Sequence, residues 1–150
     1  MELKILPVFQ VIIAIAIMWL LTAIFPHVSY NIVGARTGAI LVFTIALFIG
    51  LSAIISFRRH QTTVNPIKPE TASKVVNTGI YAYSRNPMYL GMLLLLVALS
   101  LYLGNFIAFL VLPVFVWYIT KYQIKPEEKA LQRLFGSEYQ TYMDNVRRWI

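Results

Sequence analysis

Two places in this 150-residue chain gather side chains able to do chemistry. The first is YAYSRNPMYLGM, Tyr81 to Met92. There Arg85, Asn86 and Pro87 stand directly against a long apolar run, with Tyr81 and Tyr83 before them, Tyr89 after them and Thr78 and Gly79 just upstream. The second is Glu127–Glu128, the only close-set acids in the chain. An arginine beside an apolar run is either a collar at a membrane entry or the wall of a polar site. In a site it offers forked donors to an anion, while carboxylates accept hydrogen bonds or take a proton.

Other chemistries lack their residues. There is no cysteine, which excludes disulfides, thiol catalysis and Cys-zinc sites. His27 and His60 are isolated, so no metal site is expected. No G-x-G-x-x-G or P-loop occurs, and Ser84 has no histidine at a readable spacing.

The elements that must position these residues are apolar. Hydrophobic residues make up 59% of the chain and charged residues 13%, which is too apolar for a soluble domain of this length. One uncharged run covers about residues 5–25 and ends at Pro26; a second covers 37–57 and stops at Arg58 and Arg59. At ~1.5 Å per residue, about 20 residues cross a ~30 Å hydrocarbon core. The first run has no small-x-small cleavage site after it, so it reads as an anchor. The uncharged block from Asn86 to Thr120 has one turn signal, Leu103–Asn105, and reads as a helical hairpin of two short arms, about 88–103 and 106–120. The expected fold is all-α: one integral-membrane domain over residues 1–150, an approximately four-helix transmembrane bundle with a C-terminal cytoplasmic or interfacial helical segment.

Charge sets the orientation. The loop 58–87 holds Arg58, Arg59, Lys68, Lys74 and Arg85 against Glu70, and the tail from Lys121 holds six basic residues. The loop between the first two runs holds only Arg36. The positive-inside rule then places both termini and the long loop in the cytoplasm. With a net charge of +7 whose basic residues flank apolar runs, membrane lipid is the expected partner rather than nucleic acid. The loop has two prolines, Pro66 and Pro69, and little helical period; its length suits either a functional or a disordered segment. In the tail, Pro126 followed by Glu127 and Glu128 reads as a helix start. Gly136 breaks that helix, and Tyr139, Tyr142, Met143 and Val146 share one face of a second one within 126–147. These pieces either lie on the membrane or fold back as a lid. Gly34 and Gly38 flank Arg36 and read as a turn rather than a helix-packing seam.

The two polar places, in this order around a hydrophobic hairpin, resemble the isoprenylcysteine carboxyl methyltransferase and phospholipid N-methyltransferase superfamily. Its pattern, G-x-Y-x-x-x-R-H-P-x-Y-x-G, then paired glutamates, then F-G-x-x-Y-x-x-Y, finds Gly79, Tyr81, Arg85, Pro87, Tyr89 and Gly91. Further on it finds Glu127, Glu128, Phe135, Gly136, Tyr139 and Tyr142. The match runs from Val75 to Ile150. The family histidine is Asn86 here, and an arginine common before the glutamates is Gln123.

The resemblance implies S-adenosylmethionine as methyl donor and a lipophilic or lipidated acceptor, an isoprenylcysteine-like carboxylate or a lipid amine. It implies catalytic roles for Arg85 and Glu127, and cofactor contacts from Thr78, Gly79, Tyr81, Tyr83, Asn86, Pro87, Tyr89 and Glu128. Aromatic faces such as Tyr81 and Tyr83 suit a sulfonium, the glutamates suit ribose hydroxyls and an amine, and Arg85 or a backbone N–H suits a carboxylate. A carboxylate acceptor needs no base, whereas an amine must lose a proton that a glutamate could take. The alternative is a non-enzymatic four-helix membrane subunit or small carrier with a basic cytoplasmic face. Neither reading fixes the oligomeric state.

Overall fold

The computed structural model describes residues 5–59 and 74–150. The sequence readings on His60, Pro66, Lys68, Pro69 and Glu70 lie outside the described residues. Among the described residues the chain is helical, and its sole β pairing is an isolated bridge between Ser29 and Asn105.

α1 runs Pro7–Ile24 and α2 runs Ala35–Arg59. After a 3-10 turn at Gly79–Ala82, α3 runs Pro87–Leu103. Each of α1 and α3 opens on a proline, whose missing N–H would have no partner in a first turn. α1 and α2 are apolar all round. Their outward side chains, including Trp19, Leu20, Ile40 and Phe48, are more than half exposed, as hydrocarbon-facing residues must be. α1, α2 and the continuous helix from Phe106 are long and apolar enough to cross a membrane; α3, at 17 residues, is shorter.

Close approach of α2 and α3 comes from small residues. Ala39, Ala46 and Ala53 are buried along one face of α2. A Cβ on Gly91 of α3 would lie 3.2 Å from the Ala46 carbonyl and 3.3 Å from the Gly50 backbone. Backbones this near gain dispersion contacts that larger side chains would prevent. Gly34 has φ +85° and Gly38 meets nothing within 4 Å, so that pair is a turn and a helix start, with no packing seam.

The turn after α3 closes the far end. Gly104 is left-handed (φ 59°, ψ 38°) and its carbonyl accepts from the Tyr30 N–H at 2.6 Å. Asn105 is fully buried; its Oδ1 caps the Ile107 N–H at 2.9 Å, and its Nδ2 donates to the Phe25 carbonyl at 2.9 Å. The core between these ends is built from Val11, Ala14 and Met18 of α1, Leu96 of α3, and Val111, Phe115, Ile119 and Ile124.

The second arm of the hairpin differs from the sequence expectation. It is not a short helix that stops before a separate tail helix. A 3-10 segment, Phe106–Leu110, leads into α4, Val111–Ile119, then one π turn, Thr120–Ile124, then α5, Lys125–Asn145, without a break. Pro126 explains the π turn. A proline inside a helix lacks its N–H and its ring crowds the carbonyl four residues back. Here the Lys125 N–H bonds the Thr120 carbonyl, five residues back, which loosens that turn. The expected break at Gly136 is present: φ 50°, ψ −120° kinks α5 there.

Candidate active site

At the end of the bundle opposite Gly104, four pieces converge: the loop 74–86, the start of α3, the π turn and α5. Gly79 takes φ +62°, which glycine adopts without strain, and starts the 3-10 turn that carries Tyr81 inward. Tyr81 is buried edge-on against Phe57 of α2, centroids 5.1 Å apart. The second half of α5 folds back over this loop. Tyr139 and Tyr142 are buried, and the Tyr142 hydroxyl donates to the Tyr81 carbonyl at 2.7 Å. Of the two placements open to the tail, this half takes the lid.

Glu127 and Glu128 point to different neighbours. Glu127 Oε1 accepts from the Tyr89 hydroxyl at 2.5 Å and from Gln123 Nε2 at 2.8 Å. Burial pushes the Glu127 carboxyl up to about 7; the donors Tyr89 and Gln123 pull it down in part, and the charge of Glu128 pushes it up again. Gln123, almost fully buried, occupies the position where the sequence pattern expects arginine, and it supports Glu127 as a neutral donor.

Glu128 is held between two arginines. Arg85 Nη2 meets Oε1 at 2.9 Å. Arg148 grips both oxygens, with Nη2 at 2.7 Å from Oε2 and Nε at 3.0 Å from Oε1 and 3.2 Å from Oε2. Arg85 also donates from Nη1 to the Met143 carbonyl at 3.0 Å, in the last turn of α5 where carbonyls lack helical partners. Its Nε is buried without a partner among the described residues. Asn86 is buried, and its Nδ2 donates to the Arg148 carbonyl at 3.0 Å.

The structure therefore brings together Tyr81, Arg85, Asn86, Pro87, Tyr89, Glu127 and Glu128. Glu128 has both oxygens engaged by arginines, which makes it an anchor for Arg85, whereas Glu127 is held by the neutral donors Tyr89 and Gln123. Tyr83 corrects the expectation of an aromatic wall: it follows the 3-10 turn and points outward, 77% exposed. Thr78 and Gly79 shape the turn and are exposed at its edge. Arg148 and Tyr139 were not among the site residues read from the sequence. Arg148 lay within a run of basic residues assigned to orientation, and nothing local distinguishes it from Arg147. Burial pushes the Tyr81, Tyr139 and Tyr142 hydroxyls well up, so they act here as neutral donors.

A bundle of apolar helices capped at one end by paired carboxylates, paired guanidiniums and buried phenols is a membrane protein with a polar site at its rim. A family model for phospholipid methyltransferase matches residues 35–138, and the chain belongs to that family. It is an integral membrane protein. An uncharacterized protein of Haemophilus influenzae is 46% identical over 63 residues, 42% of this chain and all of that protein. The protein-S-isoprenylcysteine O-methyltransferase of Schizosaccharomyces pombe is 27% identical over 124 residues, 81% of this chain and 52% of that one. Protein-S-isoprenylcysteine O-methyltransferase B of Arabidopsis thaliana is 34% identical over 95 residues, 63% of this chain and 48% of that one. The chain thus spans about half the length of these isoprenylcysteine methyltransferases. No solved structure matches it.

Proposed function

We propose that this chain is an S-adenosylmethionine-dependent methyltransferase whose acceptor is lipophilic, an isoprenylcysteine-like carboxylate or a lipid amine. The observation that carries the reading is the convergence of Arg85, Tyr89 and Glu127 at the end of a membrane hairpin. Arg85 keeps a buried, unpartnered Nε–H, which suits a ligand carboxylate. Tyr89 and Gln123 both reach Glu127 through Oε1, and a carboxylate held this way suits an ammonium or hydroxyl donor at its other oxygen. The faces of Tyr81 and Tyr89 suit a sulfonium through cation–π attraction. Bound S-adenosylmethionine would supply an activated methyl group.

The work left to the protein is placement and exclusion of water. Methyl transfer is an in-line displacement, so holding donor and acceptor in register supplies much of the acceleration. Arg85 binds and orients an anionic group. Glu127, poised near neutral pH by burial, holds a proton at Oε2 or takes one from an amine acceptor. The folded-back half of α5 covers the loop and keeps bulk water out.

Titration of purified protein with S-adenosylmethionine in a calorimeter tests this directly, together with transfer of label from the donor into a membrane lipid extract. Saturable binding and labelled lipid are expected in the wild type. Glu127→Gln should weaken binding roughly ten- to a hundredfold, the size of a lost hydrogen bond to a charged group. A well-folded wild type that binds no S-adenosylmethionine would refute the assignment.

A further inference from the structure

The segment after α5 lies across the site loop in an unusually tied-down way. α5 ends at Asn145 and Val146 is extended (φ −123°, ψ 130°). From there the backbone is pinned by donors of the site loop. The Arg85 N–H bonds the Arg147 carbonyl at 3.0 Å, and Asn86 Nδ2 bonds the Arg148 carbonyl. Trp149 packs against the main apolar core. Between these anchors the Arg148 side chain returns to α5 and takes both oxygens of Glu128.

We propose that Arg148 is a positioning residue: through Glu128, the carboxylate that both arginines share, it fixes the Arg85 guanidinium, and residues 146–150 are the strap that holds the site loop against α5. The inference rests on the reading of Arg85 as a site residue given above. Glu128 alone would meet Arg85 through one oxygen, and a glutamate on a helix turns freely about its own bonds. The forked contact from Arg148 fixes the plane of that carboxylate, so Oε1 presents a fixed acceptor to Arg85 Nη2. The Met143 carbonyl holds Nη1. With both ends held, the Nε–H edge keeps one direction. Two guanidiniums share one carboxylate, so the cluster keeps a surplus positive charge, which suits an anionic ligand group. The shared pair also raises the Arg148 guanidinium above its ordinary value, chiefly through the hydrogen bonds to Glu128.

The test uses the full chain in lipid nanodiscs and two readouts. The first needs no ligand: the rate at which phenylglyoxal modifies Arg85, followed by peptide mass spectrometry, with exposed Arg58 as internal reference. Arg148→Gln should speed Arg85 modification about tenfold with Arg58 unchanged, Arg148→Lys should give an intermediate rate because it keeps charge without the fork, and Arg147→Gln should match wild type. The second readout is the dissociation constant for S-adenosylmethionine, expected to rise about tenfold in Arg148→Gln and to recover in part in Arg148→Lys. Should Arg148→Gln lose its helical circular dichroism, Arg148→Lys decides. An Arg85 rate equal to wild type in the folded variant overturns the proposal. If the wild type binds no S-adenosylmethionine, the functional reading falls, while the phenylglyoxal rates still decide whether Arg148 positions Arg85.

Discussion

Glu127 makes the most specific claim of any single residue. Its carboxyl titrates near 7 in the folded protein against 4.5 for an unperturbed glutamate. Between those values the folded state holds a proton that the unfolded state releases, so stability falls as pH rises. The contribution is fully present below about 4.5 and lost as the pH passes about 7. The groups facing Glu127 are Tyr89 of α3, Tyr81 of the loop, and Gln123 and Glu128 of its own helix. We therefore expect the melting temperature in detergent to drop between pH 5 and pH 7.5, and Glu127→Gln to flatten that drop; an equally steep profile in the variant would assign the slope to other groups. Several site residues were legible in the sequence because their types are rare in an apolar chain: Arg85 and the paired glutamates stand out without a structure. The split of labour between Glu127 and Glu128 was not legible. It depends on which face of α5 each presents, and that is set by an extra residue in the π turn before them. Arg148 returns to Glu128 from twenty residues away through a kink and a strap, a path that no periodicity encodes.

Single backbone positions make predictions at the scale of elements. Gly104 has φ +59°, and a Cβ there would lie 2.9 Å from the Tyr30 carbonyl. Left-handed backbone costs a residue with a Cβ about 1–2 kcal/mol, and displacing the segment 29–30 would also weaken the Tyr30–Gly104 hydrogen bond. Gly104→Ala should therefore destabilise the protein by about 2 kcal/mol. Gly38→Ala is the contrast, because that glycine lies in a helix with open space around it. It should stabilise by up to about 1 kcal/mol. Thermal melts of both variants in one detergent check the pair, and equal shifts would show that the far-end turn is not under the constraint its geometry implies. The Leu103–Asn105 turn was readable because glycine and asparagine punctuate an otherwise uninterrupted apolar run. The continuity of α4 into α5 was not. Pro126 followed by two acids has the composition of a helix start, yet the π turn lets the helix pass through the proline with one shifted hydrogen bond. The packing of an apolar core against Ile124 outweighs that local preference for a break.

For the whole molecule, the arrangement of charge and site leads to one topology. The end that carries Arg85 and Glu128 also carries Arg58 and Arg59 at the close of α2, Lys121 and Lys125 where the fourth helix leaves its apolar stretch, and Arg147 and Arg148 in the strap. Lys121 lies over the Trp117 and Tyr122 rings at 5.0 and 5.3 Å, a pairing suited to the level of lipid headgroups. The opposite end has Arg36 as its lone lysine or arginine among the described residues, and the Gly104–Asn105 turn is uncharged. α1 begins near the site end, where Ile5 and Gln10 share a groove with Tyr118, and finishes near Asn105, which its Phe25 carbonyl contacts. The start of α1, the end of α2 and the strap thus share one side. From the preference of basic flanks for the cytoplasmic side we expect the site and both termini in the cytoplasm, where a soluble methyl donor would reach it while a lipophilic acceptor would arrive through the bilayer. Reporter fusions after Arg36, Lys74 and Ile150 measure this. An external signal at Arg36 and cytoplasmic signals at the other two are expected; a cytoplasmic signal at Arg36, or an external one at Lys74 or Ile150, would reverse the bundle or change its number of crossings, and the donor would then have to reach the site from the other side.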